Sequence, residues 1–299
     1  MNPQHPRNSG RLPFAGVAAL VAALIASLSA CGTAPPEPSA AVREAVNYNQ
    51  RAARALRAGR IDAARTLYES ALRVDRSVEN TDGIAVNLLG LARVEQAAGN
   101  LPAAQAHLDS VLASAPLALP AARKAEAAAR RALIGFDAGD NALAADWSRR
   151  AEELCVPAAC PARAAIANLR ARASLAAGDH ANAILFARRA LDASGSAAPG
   201  TADDPRIERA NANRILGEAS IGLRDTRLAR QALAEALALD QALGRADRIR
   251  RDLLLLANVH KLDGDRDGAR SLIRRALVVS NAAGDVSGAR EAQALLDAP

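Results

Sequence analysis

The chain has 299 residues, half of them hydrophobic but only 2% aromatic, and a formal net charge of +6 from 38 basic and 32 acidic residues. It contains 77 alanines, and 36 of its basic residues are arginine. Because Ala and Arg favour helices while β-branched and aromatic residues are scarce, the composition excludes an all-β domain, and the interspersed charges argue against a nucleic-acid-binding surface.

The first thirty residues have the features of a secretory signal peptide. Arg7 and Arg11 precede an uncharged apolar stretch, residues 14–28, which is shorter than the about 20 residues that a transmembrane helix needs. The sequence Leu28-Ser29-Ala30-Cys31 then resembles the bacterial lipobox. This resemblance implies removal of residues 1–30 and lipidation of Cys31. An ordinary signal peptide with a cysteine at its cleavage site is the alternative.

The residues after Cys31 suggest where the lipid would anchor the chain. In lipoproteins of the enteric type, an Asp after the cysteine retains the protein in the inner membrane, and this chain has Gly32 there. The resemblance therefore implies the outer membrane, with the chain facing the periplasm. Three prolines between residues 35 and 38 predict a semi-rigid tether over residues 31–43.

The remaining sequence repeats itself about every 40 residues. Five glycines and one arginine mark equivalent turns: Gly59, Gly99, Gly139, Gly178, Arg224 and Gly264. The positions seven before, five after and twelve after these turns are Ala or Gly in 17 of 18 cases, and Val111 is the exception. A glycine at such a turn ends a helix in the left-handed conformation, and small residues let neighbouring helices approach closely. We therefore expect about six units, each of two antiparallel helices.

This pattern resembles the tetratricopeptide repeat in a long variant of about 40 residues. The resemblance implies an all-α fold, an α-solenoid over residues 44–284, in which each unit is stabilised by its neighbours. Residues 285–299, with Asp285 as a helix N-cap, are predicted to form a C-terminal capping helix. The Gly/Ser/Pro-rich segment 193–204 is either a tolerated surface insertion or a hinge or partner-contact loop.

Cys155 and Cys160 lie five residues apart between the third and fourth units. In an oxidising compartment this spacing predicts a structural disulfide, with free thiols or redox activity as alternatives. His107, His180 and His260 are scattered one to a unit, so no metal site or other cofactor is predicted.

In the family that the chain resembles, the first helix of each unit lines a concave binding face. Polar residues spaced three and four apart on these helices would form one stripe. The predicted protein-binding residues are Asn168, Arg172, Asn211, Arg214, Asn258 and Lys261, with Asn49, Arg93, Gln96, Glu218 and Arg251 beside them. Asn and Arg can hold a peptide backbone and carboxylates, which favours an acidic peptide. Alternatively the stripe is polar only because it is exposed, and Arg214 and Glu218 pair along one helix.

These observations predict a lipid-anchored protein of the bacterial outer membrane that acts as an interaction scaffold or assembly factor in the cell envelope. The partner would be another envelope protein or a peptide segment, and not a nucleic acid. No nucleophile, phosphate loop or carboxylate pair indicates an enzyme. A regulatory subunit of a cell-wall enzyme and a small-ligand-binding lipoprotein are the alternatives.

Overall fold

The structure, a computed structural model, describes residues 37–113, 116–155, 160–195 and 204–298. Those residues form thirteen helices and no strand. In chain order the helices are α1 Ala40–Arg57, α2 Ile61–Ser77, α3 Thr81–Ala97, α4 Leu101–Leu112, α5 Ala121–Asp137, α6 Asn141–Cys155, α7 Arg163–Ala176, α8 His180–Gly195, α9 Pro205–Gly222, α10 Thr226–Leu243, α11 Ala246–Leu262, α12 Arg266–Ala282 and α13 Val286–Asp297.

The helices pair into six units, from unit one (α1 and α2) to unit six (α11 and α12). The odd-numbered helix of each unit is its first helix. First helices of neighbouring units contact one another from α3 to α11, and α13 packs on α12. The predicted all-α solenoid is therefore confirmed.

The turn inside each unit requires a left-handed residue. The five turn glycines have φ between +70° and +80°, and Arg224 adopts φ +58° at the equivalent place. A side chain at such a position is strained, and Arg224 is therefore an exception that its unit tolerates. A second set of left-handed residues lies twenty positions after the first, at Glu79, Gly244 and Gly284. It closes tight turns between units, where the sequence analysis identified none.

An Asp or Asn usually follows the left-handed residue and caps the next helix. Asp225 accepts a hydrogen bond from the Leu228 amide at 2.9 Å, and Asp285 accepts one from the Gly288 amide at 2.9 Å. Such a cap satisfies a backbone donor that the first helical turn leaves free. The backbone bond also holds the pKa of Asp285 below its usual range.

Small residues bring the two helices of a unit together. Ala64, Ala104, Ala144, Ala183 and Ala229 are fully or almost fully buried five positions after the turn. Within unit five, a Cβ atom on Gly217 would overlap Leu233, and between units one and two a Cβ atom on Gly90 would overlap the Tyr68 ring. These glycines are therefore sites of close helix approach.

The apolar core runs through the stack in clusters that cross unit boundaries. One cluster runs through units one and two and reaches α5 of unit three, a second joins units three and four, and a third joins units five and six to α13. Ala292, Leu295 and Leu296 of α13 complete the third cluster. None of the helices in the described part of the chain is long and apolar enough to cross a membrane.

Candidate functional site

The first helices present two parallel lines of accessible positions, which together we call the first-helix face. It is made of residues six and thirteen positions before each turn, which are two helical turns apart and therefore share a side. All of them are exposed or half-buried: Ala53, Arg93, Leu133, Arg172, Glu218 and Asn258 in one line, and Val46, Val86, Glu126, Ala165, Asn211 and Arg251 in the other.

Arg172 is the most distinctive side chain on this face. Its guanidinium lies over the Phe136 ring, 4.1 Å from the ring centre, so a cation–π contact fixes its position. Within the described residues it forms no ion pair with a carboxylate. Burial by the surrounding helices lowers the pKa of Arg172, the Arg251 charge lowers it further, and Asp137 and Glu218 act in the opposite direction. Arg172 is thus an accessible cation held against an aromatic ring, with one cation and two carboxylates in its surroundings.

Arg251 lies two units further along the face. Its Nη2 donates to Glu218 Oε1 at 2.7 Å, and its side chain remains 51% exposed. Asn258 and Lys261 are exposed on the same helix, and Asn211 is half-buried on α9. The face of units four to six therefore carries two cations, one paired acid and two amides, and Lys261 lies beside it.

Two residues expected on the accessible stripe are buried instead. Asn168 is 6% exposed, and its Nδ2 donates to the Glu208 carbonyl oxygen at 2.9 Å and to Glu208 Oε2 at 2.7 Å. Arg214 is 3% exposed. Both lie ten positions before the turn, where the side chain points towards the next unit, as that of half-buried Asn49 does when it donates to Asn87 at 2.8 Å. The expectation that these two residues are accessible to a partner is wrong.

Arg214 is the centre of a buried ionic cluster at the junction of units five and six. Its Nε donates to Asp252 Oδ1 at 2.6 Å, and its Nη2 donates to Asp240 Oδ2 and also to Asp252 Oδ2 at 3.4 Å. Glu218, the alternative partner along the same helix, binds Arg251 instead. Arg245 lies 3.3 Å from Asp240 Oδ1. Both aspartate side chains are fully buried.

Burial raises the pKa of Asp252 to about 6, although the hydrogen bond and charge of Arg214 oppose this shift. The neighbouring Asp240 carboxylate acts in the same direction as burial. Two buried carboxylates beside one guanidinium favour retention of a proton, because like charges in a poorly solvated site repel each other.

A cluster with one carboxylate and no arginine occupies the equivalent place between units one and two. Asp75 accepts hydrogen bonds from Asn80 and Asn87, each at 2.7 Å, and Asn87 in turn accepts one from Asn49. Counted from their turns, Asp75, Asn87 and Asn49 occupy the same positions as Asp240, Asp252 and Arg214. The repeat spacing could have revealed this equivalence, which the sequence analysis missed.

Cys155 and Cys160 form a disulfide in the structure, with their Cα atoms 5.4 Å apart and both residues buried. Cys155 occupies the unit position that holds Ser194 in unit four and Ser280 in unit six. The disulfide thus lies at a unit junction, within the apolar cluster of units three and four. Residues 156–159 of its loop lie outside the described residues.

Two further sequence expectations fall outside what the structure describes. The first expectation concerns Cys31 and the part of the tether before residue 37. The second concerns positions 196–203 of the loop between units four and five. Among the described residues, no three His, Cys, Asp or Glu side chains form a group that could hold a metal ion.

Comparison with known proteins gives a partial family match and a fold. Residues 43–116 match the tetratricopeptide repeat model. No curated protein matches the chain in sequence. One similar structure is a chain of the APC/C hetero-tetramer Cut9–Hcn1, with TM-score 0.64 and 16% identity over 83% of this chain. This chain spans 42% of that one.

Two other similar structures are closer in length. A Rap protein complexed with competence and sporulation factor has TM-score 0.60 and 15% identity, over 85% of this chain and 70% of that one. PilW, a widely conserved type IV pilus biogenesis factor, has TM-score 0.59 and 16% identity, over 83% of this chain and 97% of that one. At these identities the likeness concerns the fold. Units one and two therefore match the tetratricopeptide repeat in sequence, and the described helices of units three to six continue the same helix-pair architecture.

Proposed function

We propose that this chain is a lipid-anchored periplasmic protein of the outer membrane that acts as a protein-binding scaffold or assembly factor in the cell envelope. The repeat fold supports the binding role, because it holds a long row of side chains on rigid helices. Two of the similar structures support a protein or peptide as the partner. One is described as a complex with competence and sporulation factor, and the other as a pilus biogenesis factor.

The observation that carries the binding proposal is the state of Arg172. An accessible cation that forms no ion pair with a carboxylate of the described residues gains when an anionic group approaches. Phe136 already holds the guanidinium in place, so binding would cost little side-chain entropy. Arg251 and Asn258 supply further donors along the same face. The chemistry therefore fits an acidic peptide segment laid across units four to six.

The anchoring proposal depends on the amino-terminal sequence. The Leu28-Ser29-Ala30-Cys31 motif, after an apolar stretch of signal-peptide length, supports lipidation of Cys31. Attachment of more than one acyl chain would make membrane binding stable, since a single chain gives only marginal binding.

Site-specific photo-crosslinking in cells tests the binding face. A photoreactive residue at Asn258 should capture one envelope protein, whereas the same residue at exposed Ser271, on the second helix of unit six, should not. Arg172→Glu should reduce the Asn258 adduct about tenfold or more, because a favourable charge contact becomes repulsive.

The matched control is Arg188→Glu, which makes the same charge change on the exposed second helix of unit four. It should leave the adduct unchanged. Equal capture from Asn258 and Ser271, or an adduct that survives Arg172→Glu, would show that the first-helix face is not the binding site.

Cys31→Ser tests the anchor separately. The variant should accumulate as an uncleaved precursor that labelled palmitate does not modify, while the parent is processed and floats with outer-membrane vesicles. Normal processing and membrane association of the variant would exclude lipidation at this position.

A further inference from the structure

The ionic cluster at the junction of units five and six is unusual in its composition. Two carboxylates with fully buried side chains, Asp240 and Asp252, contact the same guanidinium nitrogen, Nη2 of Arg214. Because each helix of the junction contributes one of these residues, the cluster ties α9, α10 and α11 together. Any change in its charge acts on the contact between the two units.

The surrounding charges do not remove the repulsion between the carboxylates. Arg214 faces the pair from α9 and also donates to Asn211 Oδ1 at 3.3 Å, and Arg245 and Arg248 lie at the start of α11. Arg248 lies beside Asp247, 3.1 Å away, and Arg251 binds Glu218 on the first-helix face. Arg245 approaches only the Asp240 carboxylate within 4 Å. Among the described residues, Arg214 is the cation within 4 Å of the Asp252 carboxylate.

The equivalent junction of units one and two shows how the same positions look without this repulsion. There the residue that corresponds to Asp252 is Asn87, whose amide donates to Asp75 at 2.7 Å. An amide can donate where a carboxylate cannot, and a protonated Asp252 would regain that ability towards Asp240.

We propose that the junction of units five and six is strengthened by acid, because one proton held between the Asp240 and Asp252 carboxylates fastens unit six to unit five. The raised pKa of Asp252 agrees with this geometry. A carboxyl group whose folded pKa exceeds its unfolded value makes the protein more stable as the pH falls through the folded pKa. The stabilisation therefore grows as the pH falls from about 7 towards 4.

The consequence reaches the first-helix face, because α11 also carries Arg251 and Asn258. A more firmly held unit six would keep these two side chains more steadily in line with Arg172. The junction would behave in this way whether or not the first-helix face binds a partner.

The test compares the parent with Asp252→Asn, which copies the residue of the unit-two position. Carboxyl-carbon NMR of the parent should show one aspartate that titrates near pH 6, and this signal should be absent from the variant. Amide exchange over residues 246–297, corrected for the intrinsic rate, should slow about tenfold in the parent between pH 7.5 and 5, relative to the variant.

Asp247→Asn is the matched control, since it makes the same chemical change at an exposed position of α11. It should keep the pH dependence of the parent. A parent without a carboxyl that titrates above pH 5, or a constant exchange ratio between parent and Asp252→Asn, would refute the proposal. The parent titration decides the matter alone if Asp252→Asn does not fold.

Discussion

The position ten residues before each turn shows that a polar helical residue can lie at a unit junction instead of in a binding face. Asn168 and Arg214 have the polarity and spacing of groove residues, yet both are buried and bound to the next unit. Four positions later, Arg172 and Glu218 lie on the accessible side. An offset of four residues turns a side chain by about 40° around the helix, which is enough to separate the two roles.

Arg224 is the residue at which a single change should stabilise the protein. It is the only turn residue of the six units that is not glycine, and it has φ +58°. Arg224→Gly should raise the free energy of unfolding by about 1 kcal/mol, because a left-handed conformation costs a residue with a Cβ roughly that much. Urea unfolding followed by circular dichroism measures the change.

A glycine introduced within the following helix provides the comparison for Arg224. Arg227→Gly, at an exposed position of α10, should lower stability by about 1 kcal/mol because glycine is a poor helix former. If both substitutions destabilise the protein, the strain assigned to Arg224 is not relieved by glycine.

At the scale of helices, the connections between units are of two kinds. Left-handed residues at Glu79, Gly244 and Gly284 give tight turns after units one, five and six. The other three junctions have longer connections, and one of these contains the disulfide. The covalent link therefore lies at one of the longer connections.

The disulfide should make a measurable contribution to stability. Cys155→Ser with Cys160→Ser should lower the free energy of unfolding by about 2 kcal/mol, since a loop of six residues is no longer closed in the unfolded chain. Serine is a conservative choice, because Ser194 and Ser280 occupy the position of Cys155 in other units. Unfolding with and without reductant measures the effect. A parent protein that reductant leaves unchanged would indicate free thiols.

The approach of α9 to α10 depends on Gly217. Gly217→Ala should destabilise the protein by about 1–3 kcal/mol, because the new methyl group would overlap Leu233 in a packed core. Gly195→Ala, which has open space around the new Cβ, should be neutral or slightly stabilising. Thermal unfolding of the two variants separates steric overlap from helix propensity. Equal effects would contradict the close packing.

At the scale of the whole molecule, the stack leaves an apolar end that α13 covers. Deletion of residues 286–299 would uncover the side of α12 on which Ala292, Leu295 and Leu296 pack. We expect a loss of roughly 3 kcal/mol in unit six and self-association, because exposed apolar surface is unfavourable in water. Sedimentation velocity and thermal unfolding measure both effects. Deletion of residues 298–299 alone should change neither.

Much of the architecture could be predicted from the sequence, because its determinants are local or periodic. A turn glycine such as Gly139, a small residue such as Ala144 and a cap such as Asp285 act within a few residues of themselves. Repeated at a constant spacing, they determine the helices, their pairing and the order of the units. The tight turns at Gly244 and Gly284 obey the same rule and could have been found by the same alignment.

The partners within the polar network could be identified only from the tertiary structure. Arg214 meets Asp240 and Asp252, which are 26 and 38 residues away along the chain, and Asn168 meets Glu208 at a separation of 40. Helical spacing shows which residues share a side of one helix, but the rotation of each unit against the next determines which side is covered. For that reason the sequence alone determined that the chain is a stack of helix pairs, and only the packing of whole units decided which arginines are accessible and which are buried with aspartate.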